Sequence, residues 1–383
     1  MKFHQSHLAY CTNIHPAETW EETKRILQTH VLRVRDLLIS QGLLEKSASY
    51  AIGLRLSAMA AAELLDGRNL AEFKAWLDET NTYVFTINGF PYGNFHGTRV
   101  KERVFQPDWT EAARLEYTQN LFRILAVIAR PETGASVSTL PGSHKTFAAD
   151  ESLIRKNLIE IASWMDVLSM ETGHDFHLGL EPEPLGHFEN TSETLAFFMR
   201  LHADAPDSEL IRRRIGVNYD ACHFALQYEE AHASLDVLSA AGIRISKIHL
   251  SSALAFDPTD AAAISAIRAF EEPVYFHQVL TRRKSGEITR FLDLPDFLAA
   301  DEPHADTEEA RVHFHIPLDA EPLPPLRSTR NHAQEILNWR RIHPDACAHF
   351  EIETYTWGVL PAEMQRPVEV QIAGEYRWVM EKA

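Results

Sequence analysis

Phe176-His177-Leu178-Gly179-Leu180-Glu181 puts apolar side chains on one parity and polar or small ones on the other, and it ends on a carboxylate ahead of Pro182. A parallel strand buried on both faces normally reads as a continuous apolar run, so polar residues of one parity need a reason. The pattern recurs downstream. Ile215, Val217 and Tyr219 oppose Gly216, Asn218 and Asp220; Ser246, Ile248 and Leu250 oppose Ile245, Lys247 and His249; Phe350 and Ile352 oppose His349, Glu351 and Glu353. With the apolar parity turned toward covering helices, Glu181, Asp220, His249 and Glu353 all point to the other side of the wall, near the C-terminal ends of four strands.

Working outward, strand-like runs fall at 8–14, 51–56, 83–87, 135–140, 176–181, 215–219, 245–250 and 349–354. Helical spacing fills 19–40, 58–77, 110–129, 151–171, 192–202, 229–241, 260–270 and 332–342. Eight alternations predict an α/β protein, a closed (β/α)8 TIM barrel rather than an open doubly wound sheet, with residues 1–383 as one domain. Barrels of this type place their chemistry at the C-terminal strand ends, where the four polar side chains gather. One segment exceeds the count: 271–325 carries further runs at 274–280, 288–292 and 312–316, with Ser285-Gly286 as a turn signal. It reads as an insertion made of a hairpin and a return strand, and the alternative makes 312–316 the eighth barrel strand.

Composition narrows the partners. The chain of 383 residues is 45% hydrophobic and 24% charged, enough for a large core. Its 54 acidic against 37 basic residues give a net charge of −17, which repels phosphate backbones and argues against nucleic acid. Cys11, Cys222 and Cys347 form no CxxC pair, so neither a disulfide framework nor a thiolate zinc site is expected. The start lacks a secretory pattern and no uncharged run approaches a membrane span, which predicts a cytoplasmic protein.

Three carboxylates and an imidazole converging in a low-dielectric cavity call for a counter-cation, and the donor set suits Mn, Mg, Co or Zn. Singly, each residue reads as a helix cap or a lysine partner, with Asp220 a natural N-cap; together they read as a metal centre. Glu351 shares the parity of Glu353, so either satisfies the pattern. His277, His313 and His315 fall in the inserted strands, where they would line the cavity mouth or supply a second metal, in a chain with 20 histidines. Arg55 and Asn88 end the second and third strands and suit hydroxyl or carboxylate groups, or equally core hydrogen bonds. The loop 88–97 combines glycines and aromatics as a lid would, or forms a compact Ω-loop. Gly142-Ser143-His144-Lys145 offers a phosphate hold without P-loop spacing.

Glu181-Pro182, Asp220-Ala221-Cys222-His223, Ile248-His249-Leu250 and the closing Glu353 resemble the metal motifs of the xylose isomerase-like barrel superfamily, which holds sugar isomerases, ketose 3-epimerases, inosose dehydratases and endonuclease IV. More narrowly, Leu8-Ala9-Tyr10-Cys11-Thr12-Asn13-Ile14-His15, Leu180-Glu181-Pro182-Glu183-Pro184 and His349-Phe350-Glu351-Ile352-Glu353-Thr354-Tyr355-Thr356-Trp357 resemble the EboE family of metabolite traffic proteins. The resemblance implies Glu181, Asp220, His249 and Glu353 as metal ligands, with Glu353 preferred to Glu351 because it precedes Thr354 as Glu181 precedes Pro182. It implies His223 at the substrate; Glu183, Asn88, Arg55, His277 and His315 are expected beside it as further substrate contacts. The implied activity is isomerisation, epimerisation or dehydration of a sugar-like or cyclitol metabolite, with Glu181 and Glu353 as base and acid. A second class is a non-catalytic trafficking protein that keeps the pocket and hands its cargo to proteins of the same pathway. A metal-dependent phosphodiesterase comes third, since it would want more ligands and a basic groove.

Overall fold

The computed structural model describes residues 1–96, 101–300 and 306–383. Eight parallel strands make the wall: Ser6–Tyr10, Tyr50–Arg55, Thr82–Asn88, Ala135–Thr139, Phe176–Leu180, Ile215–Asp220, Arg244–Leu250 and His349–Ile352. From the second to the eighth each pairs with its neighbour in chain order, and the eighth also pairs with the first. A short Lys2–Phe3 strand folds back antiparallel onto the first. The seam between the first and second strands is closed by a single Cys11–Gly53 bridge and by the Arg55 amide donating to Thr12 Oγ1 at 2.8 Å. The expected barrel is therefore present.

The apolar parity faces the helices as the alternation requires. Leu178, Leu180, Val217, Tyr219, Ile248, Leu250 and Phe350 are fully buried there, each contributing roughly 1.5–3 kcal/mol of transfer free energy. Local chemistry starts the helices: Thr19 and Glu22 form a capping box for Trp20–Ile26, Asp150 caps Glu151–Thr172, and Asn190 rather than Ser192 caps Thr191–Asp204. The expected helix 58–77 breaks into Ala58–Leu65 and Asn69–Glu79 around Gly67, whose φ is +57°.

One expected helix lies in another layer, and one wall helix was not expected. The wall helices after the seventh and eighth strands are Arg330–Ile342 and Val368–Lys382, the latter not expected at all. Residues 260–270 contain Ala261–Ile267, but its Ala263 and Ile267 pack with Leu254, Phe256 and Phe314 in a second apolar cluster outside the barrel. That cluster covers an antiparallel sheet in the order Ile288–Phe291, Val279–Arg283, Thr307–Val312, Leu254–Phe256, Arg327–Ser328. The expected hairpin forms from Val279–Arg283 and Ile288–Phe291, but the return strand is Thr307–Val312 rather than the expected 312–316, and strands outside 271–325 extend the sheet. Residues 313–316 run on beyond the return strand, so they are not the eighth barrel strand. Residues 301–305 of the segment lie outside the described residues.

The barrel interior is polar from its floor upward. His7 Nδ1 lies 2.8 Å from Tyr83 OH, His349 Nδ1 2.8 Å from Ser136 Oγ, and His177 stacks on His349 with ring centres 5.0 Å apart. Above them Lys247 and Glu351 fill the middle. There the absence of a side chain at Gly53 is required, because a Cβ would stand 2.0 Å from Glu351 Oε1 and 2.6 Å from Tyr10 O.

Candidate metal centre

Strand register assembles the site. In the ladders Asp220 lies opposite His249 and His249 opposite Glu351, while Glu181 and Glu353 follow the ends of their strands, anchored by their amides to Thr139 O at 2.9 Å and Leu250 O at 3.1 Å. One ligand atom from each of Glu181, Asp220, His249 and Glu353 lies within 4.8 Å of the others. His249 Nδ1 is the hub, 3.2 Å from Glu181 Oε1 and 3.4 Å from both Asp220 Oδ2 and Glu353 Oε2. Its Nε2 faces the other way, 3.0 Å from Glu351 Oε2.

This divides the two glutamates that share a parity. Glu351 sits behind His249, also salt-bridged to Lys247 at 2.6 Å, whereas Glu353 turns into the cluster. A carboxylate behind a ligating histidine fixes its tautomer and orientation. Glu353 is itself held by amides: Asn13 Nδ2 donates to its Oε1 at 2.8 Å and Asn88 Nδ2 at 3.3 Å.

The residues fit a divalent cation. Glu181 Oε2 and Asp220 Oδ2 are buried without a hydrogen-bond partner, a costly state for an anionic oxygen unless a cation answers it. Burial works to lower the His249 pKa, but Glu353 and Glu181 outweigh it and raise it well above the imidazole range, a measure of the negative charge gathered here. Burial, then Glu181, Asp220 and Glu353, push the Glu183 carboxyl well above its usual range. Asp220 combines both of its expected roles: Oδ1 accepts from the Cys222 and His223 amides at 2.7 and 3.2 Å and so caps Ala221–Leu226, while Oδ2 stays free.

A cleft opens above the cluster, with Glu181, Glu183, His223 and Glu353 on its floor and Phe90, Phe95, Phe105, Tyr275 and Tyr355 on its walls. Asn88 lines it as expected, and His223 does so with Nδ1 held 2.9 Å from Pro182 O. The loop after the third strand arches over it through Phe90, Pro91 and Phe95, and His96 ties it down, Nε2 to Asn13 O at 2.6 Å and Nδ1 to Tyr275 OH at 3.1 Å. Gly97 lies outside the described residues.

Three expected contacts are placed elsewhere. Arg55 does not line the cleft, because its guanidinium binds the carbonyls of Ala17, Gly93 and Pro91 beneath the loop. His277 has both ring nitrogens engaged, Nδ1 with His313 O at 2.8 Å and Nε2 with Glu272 Oε1 at 2.7 Å. Lys145 pairs with Glu189 at 3.2 Å and Glu193 at 3.1 Å, and Ser143 bonds Asp108, so the 142–145 turn offers no phosphate hold. His315 does reach the centre, with Nδ1 3.1 Å from Glu353 O. Sequence reasoning missed Asn13, which stands in the first strand's motif, and the aromatic walls, which come from loops with no periodicity to reveal them.

No protein-family model and no curated protein matches the chain. Among solved structures it is similar to the probable 3-DHS dehydratase AsbF involved in petrobactin synthesis from Bacillus anthracis, at 12% identity over 97% of each chain with a TM-score of 0.48. It is similar to the IOLI protein with a bound zinc atom at 9% identity over 98% of this chain and 97% of that one, TM-score 0.49. A xylose isomerase domain containing protein from Salmonella typhimurium gives 11% identity, the same coverages and a TM-score of 0.44. At these scores the likenesses carry no argument, and the barrel stands on its own strand order. Among the described residues no helix is long and apolar enough to cross a membrane.

Proposed function

We propose that the protein is a cytoplasmic, divalent-metal-dependent isomerase, epimerase or dehydratase of a sugar-like or cyclitol metabolite. The observation that carries this is the convergence of Glu181, Asp220, His249 and Glu353 within 4.8 Å at the floor of an aromatic-walled cleft. A bound cation would polarise neighbouring substrate oxygens and stabilise the negative charge that develops on them. The chain's own residues do the rest. Glu181 and Glu353 flank the reacting carbon, one accepting the proton beside a carbonyl and the other returning it. Asn13 and Asn88 keep Glu353 from rotating away, which fixes the direction of proton transfer. Phe90, Phe95 and Tyr355 exclude water and pack on the C–H faces of a ring, while His223 and Glu183 meet its hydroxyls.

Solvent isotope exchange tests the reading. Incubated in D2O with a polyol ketone that it binds, the metal-loaded protein is expected to leave deuterium on carbon and to yield an isomerised or dehydrated product by NMR. Glu181→Gln and Glu353→Gln are expected to abolish both. A ligand that binds but returns unchanged and without deuterium would reject the enzyme reading for that ligand and leave a metabolite carrier.

A further inference from the structure

We infer that the substrate is an amphiphile, with a polyol or hydroxy-ketone head for the metal floor and an alkyl or aryl group for one wall of the same cleft. This assignment rests on the function proposed above and narrows its substrate. The wall is built from three separate segments. Phe90 comes from the loop after the third barrel strand, Val104 and Phe105 from the Lys101–Phe105 turn, and Phe276 from the inserted region. Phe90 and Phe105 meet edge to face with ring centres 5.3 Å apart, and His144 backs the wall 4.9 Å from Phe105 and 6.4 Å from Phe276.

The wall starts beside a metal-centre carboxylate. Phe90 donates its amide to Asn88 Oδ1 at 3.0 Å, and Asn88 Nδ2 donates to Glu353 Oε1 at 3.3 Å. One small molecule can therefore rest its head on the floor and its tail on the rings.

The polar groups on this side are already claimed. Arg114 Nη1 donates to the Gly89 and Phe90 carbonyls at 2.8 and 3.0 Å. Among the described residues of this wall Lys101 is the one charged side chain, and its ammonium is paired with Asp293 Oδ2 and lies 4.9 Å from the centre of the Phe276 ring. Asp293 in turn accepts the His277 and Leu294 amides at 2.9 and 3.0 Å. A sugar hydroxyl carried against these rings gives up water and finds no partner, whereas a methylene or an aromatic ring gains contact. A tail without hydroxyls is thus favoured there over the rest of a fully hydroxylated sugar. The insertion acquires a role, since it supplies both Phe276 and the Asp293 that neutralises Lys101.

Hydroxamates with different tails test this, because the head offers two adjacent oxygens to a metal while the tail explores the wall. The probes are acetohydroxamate, hexanohydroxamate and gluconohydroxamate, the last two of equal carbon number, titrated by calorimetry into Mn2+-loaded and into chelator-stripped protein. Hexanohydroxamate is expected to bind roughly 60-fold tighter than acetohydroxamate, the value of three buried methylenes at about fourfold each, and at least about tenfold tighter than gluconohydroxamate. Phe105→Ala and Phe276→Ala, checked for fold by circular dichroism, are expected to lose most of the gain from chain length. Gluconohydroxamate binding as tightly as hexanohydroxamate would overturn the amphiphile and leave a metal-dependent enzyme of ordinary sugars. A gain that survives in both folded variants would put the tail elsewhere and overturn it as well. A gain that vanishes in the variants but is the same without Mn2+ would overturn the metal reading and leave the apolar wall standing. No binding of any hydroxamate to the Mn2+-loaded protein would overturn both, and the wild-type order of affinities decides even where a variant does not fold.

Discussion

Lys247 Nζ lies 2.6 Å from Glu351 Oε2 inside the barrel, and neither side chain reaches solvent. The same carboxylate oxygen is 3.0 Å from His249 Nε2, so one anion answers a lysine and orients the histidine of the centre above it. Glu351→Ala is therefore expected to keep the metal at about 10- to 100-fold lower affinity, the usual effect of losing an orienting partner. Glu353→Ala is expected to lose it. Equilibrium metal binding on the two variants decides the matter, and equal losses would show that both carboxylates ligate.

The buried pair makes a stability prediction. Lys247→Met leaves Glu351 as an uncompensated anion in the interior, which should cost about 3–5 kcal/mol in urea unfolding of the metal-free protein. Lys247→Met with Glu351→Leu removes both charges and should recover most of that loss. A double variant no more stable than the single one would mean that shape rather than charge sets the penalty.

Gly53 is where the wall must stay bare. In Gly53→Ala the new methyl meets Glu351 Oε1 at 2.0 Å and the Tyr10 carbonyl at 2.6 Å, and the second of these is backbone. The expected cost is about 1–3 kcal/mol, together with weaker metal binding as Glu351 is pushed from His249. Gly358→Ala, where the methyl meets nothing within 4 Å, serves as a control and should fall within about 0.5 kcal/mol of wild type.

Glu375 gives a pH signature away from the centre. Burial, then the Asp319 charge, raise its carboxyl to about 7, against bonds from Thr354 Oγ1 and the Leu318 amide that work the other way. A carboxyl whose pKa is higher folded than unfolded binds its proton more tightly when folded. Its stabilising contribution is present below the unfolded value of 4.5 and is lost as pH rises through about 7. The loss amounts to at most about 3 kcal/mol. Urea unfolding of wild type from pH 5 to 8 should show stability falling over that window, and Glu375→Gln should flatten the curve. An unchanged slope in the variant would assign the dependence to other groups.

The centre was legible because strand alternation carries side-chain direction, and Glu181, Asp220, His249 and Glu353 all stood on the polar parity of their strands. Alternation alone left Glu351 and Glu353 open, and the preference for Glu353 came from the resemblance; what separates them in the structure is the pairing of Glu351 with His249 across two strands about a hundred residues apart in sequence. Arg55 and His277 were on plausible elements, but carbonyls and carboxylates in loops that show no sequence period claimed their nitrogens. Helical spacing identified Ala261–Ile267 and could not say which sheet it covers. Val368–Lys382 escaped notice because Glu369, Gln371 and Glu375 are buried in it beside Ile372 and Tyr376, which blurs the division between its faces.

The pairing of His349–Ile352 with Ser6–Tyr10 joins the two extremes of the barrel in sequence. A ribosome adds about 5–20 residues per second, so the first strand waits on the order of 20–70 s for its partner to be made. Through that interval its edges are covered only by the folded-back Lys2–Phe3 strand and the single bridge to Gly53. Glu353 emerges later still, so the growing chain cannot bring Glu181, Asp220, His249 and Glu353 together until residue 353 has been translated. The demand this topology creates therefore falls on synthesis, where the nascent first strand must be sheltered from pairing with other chains.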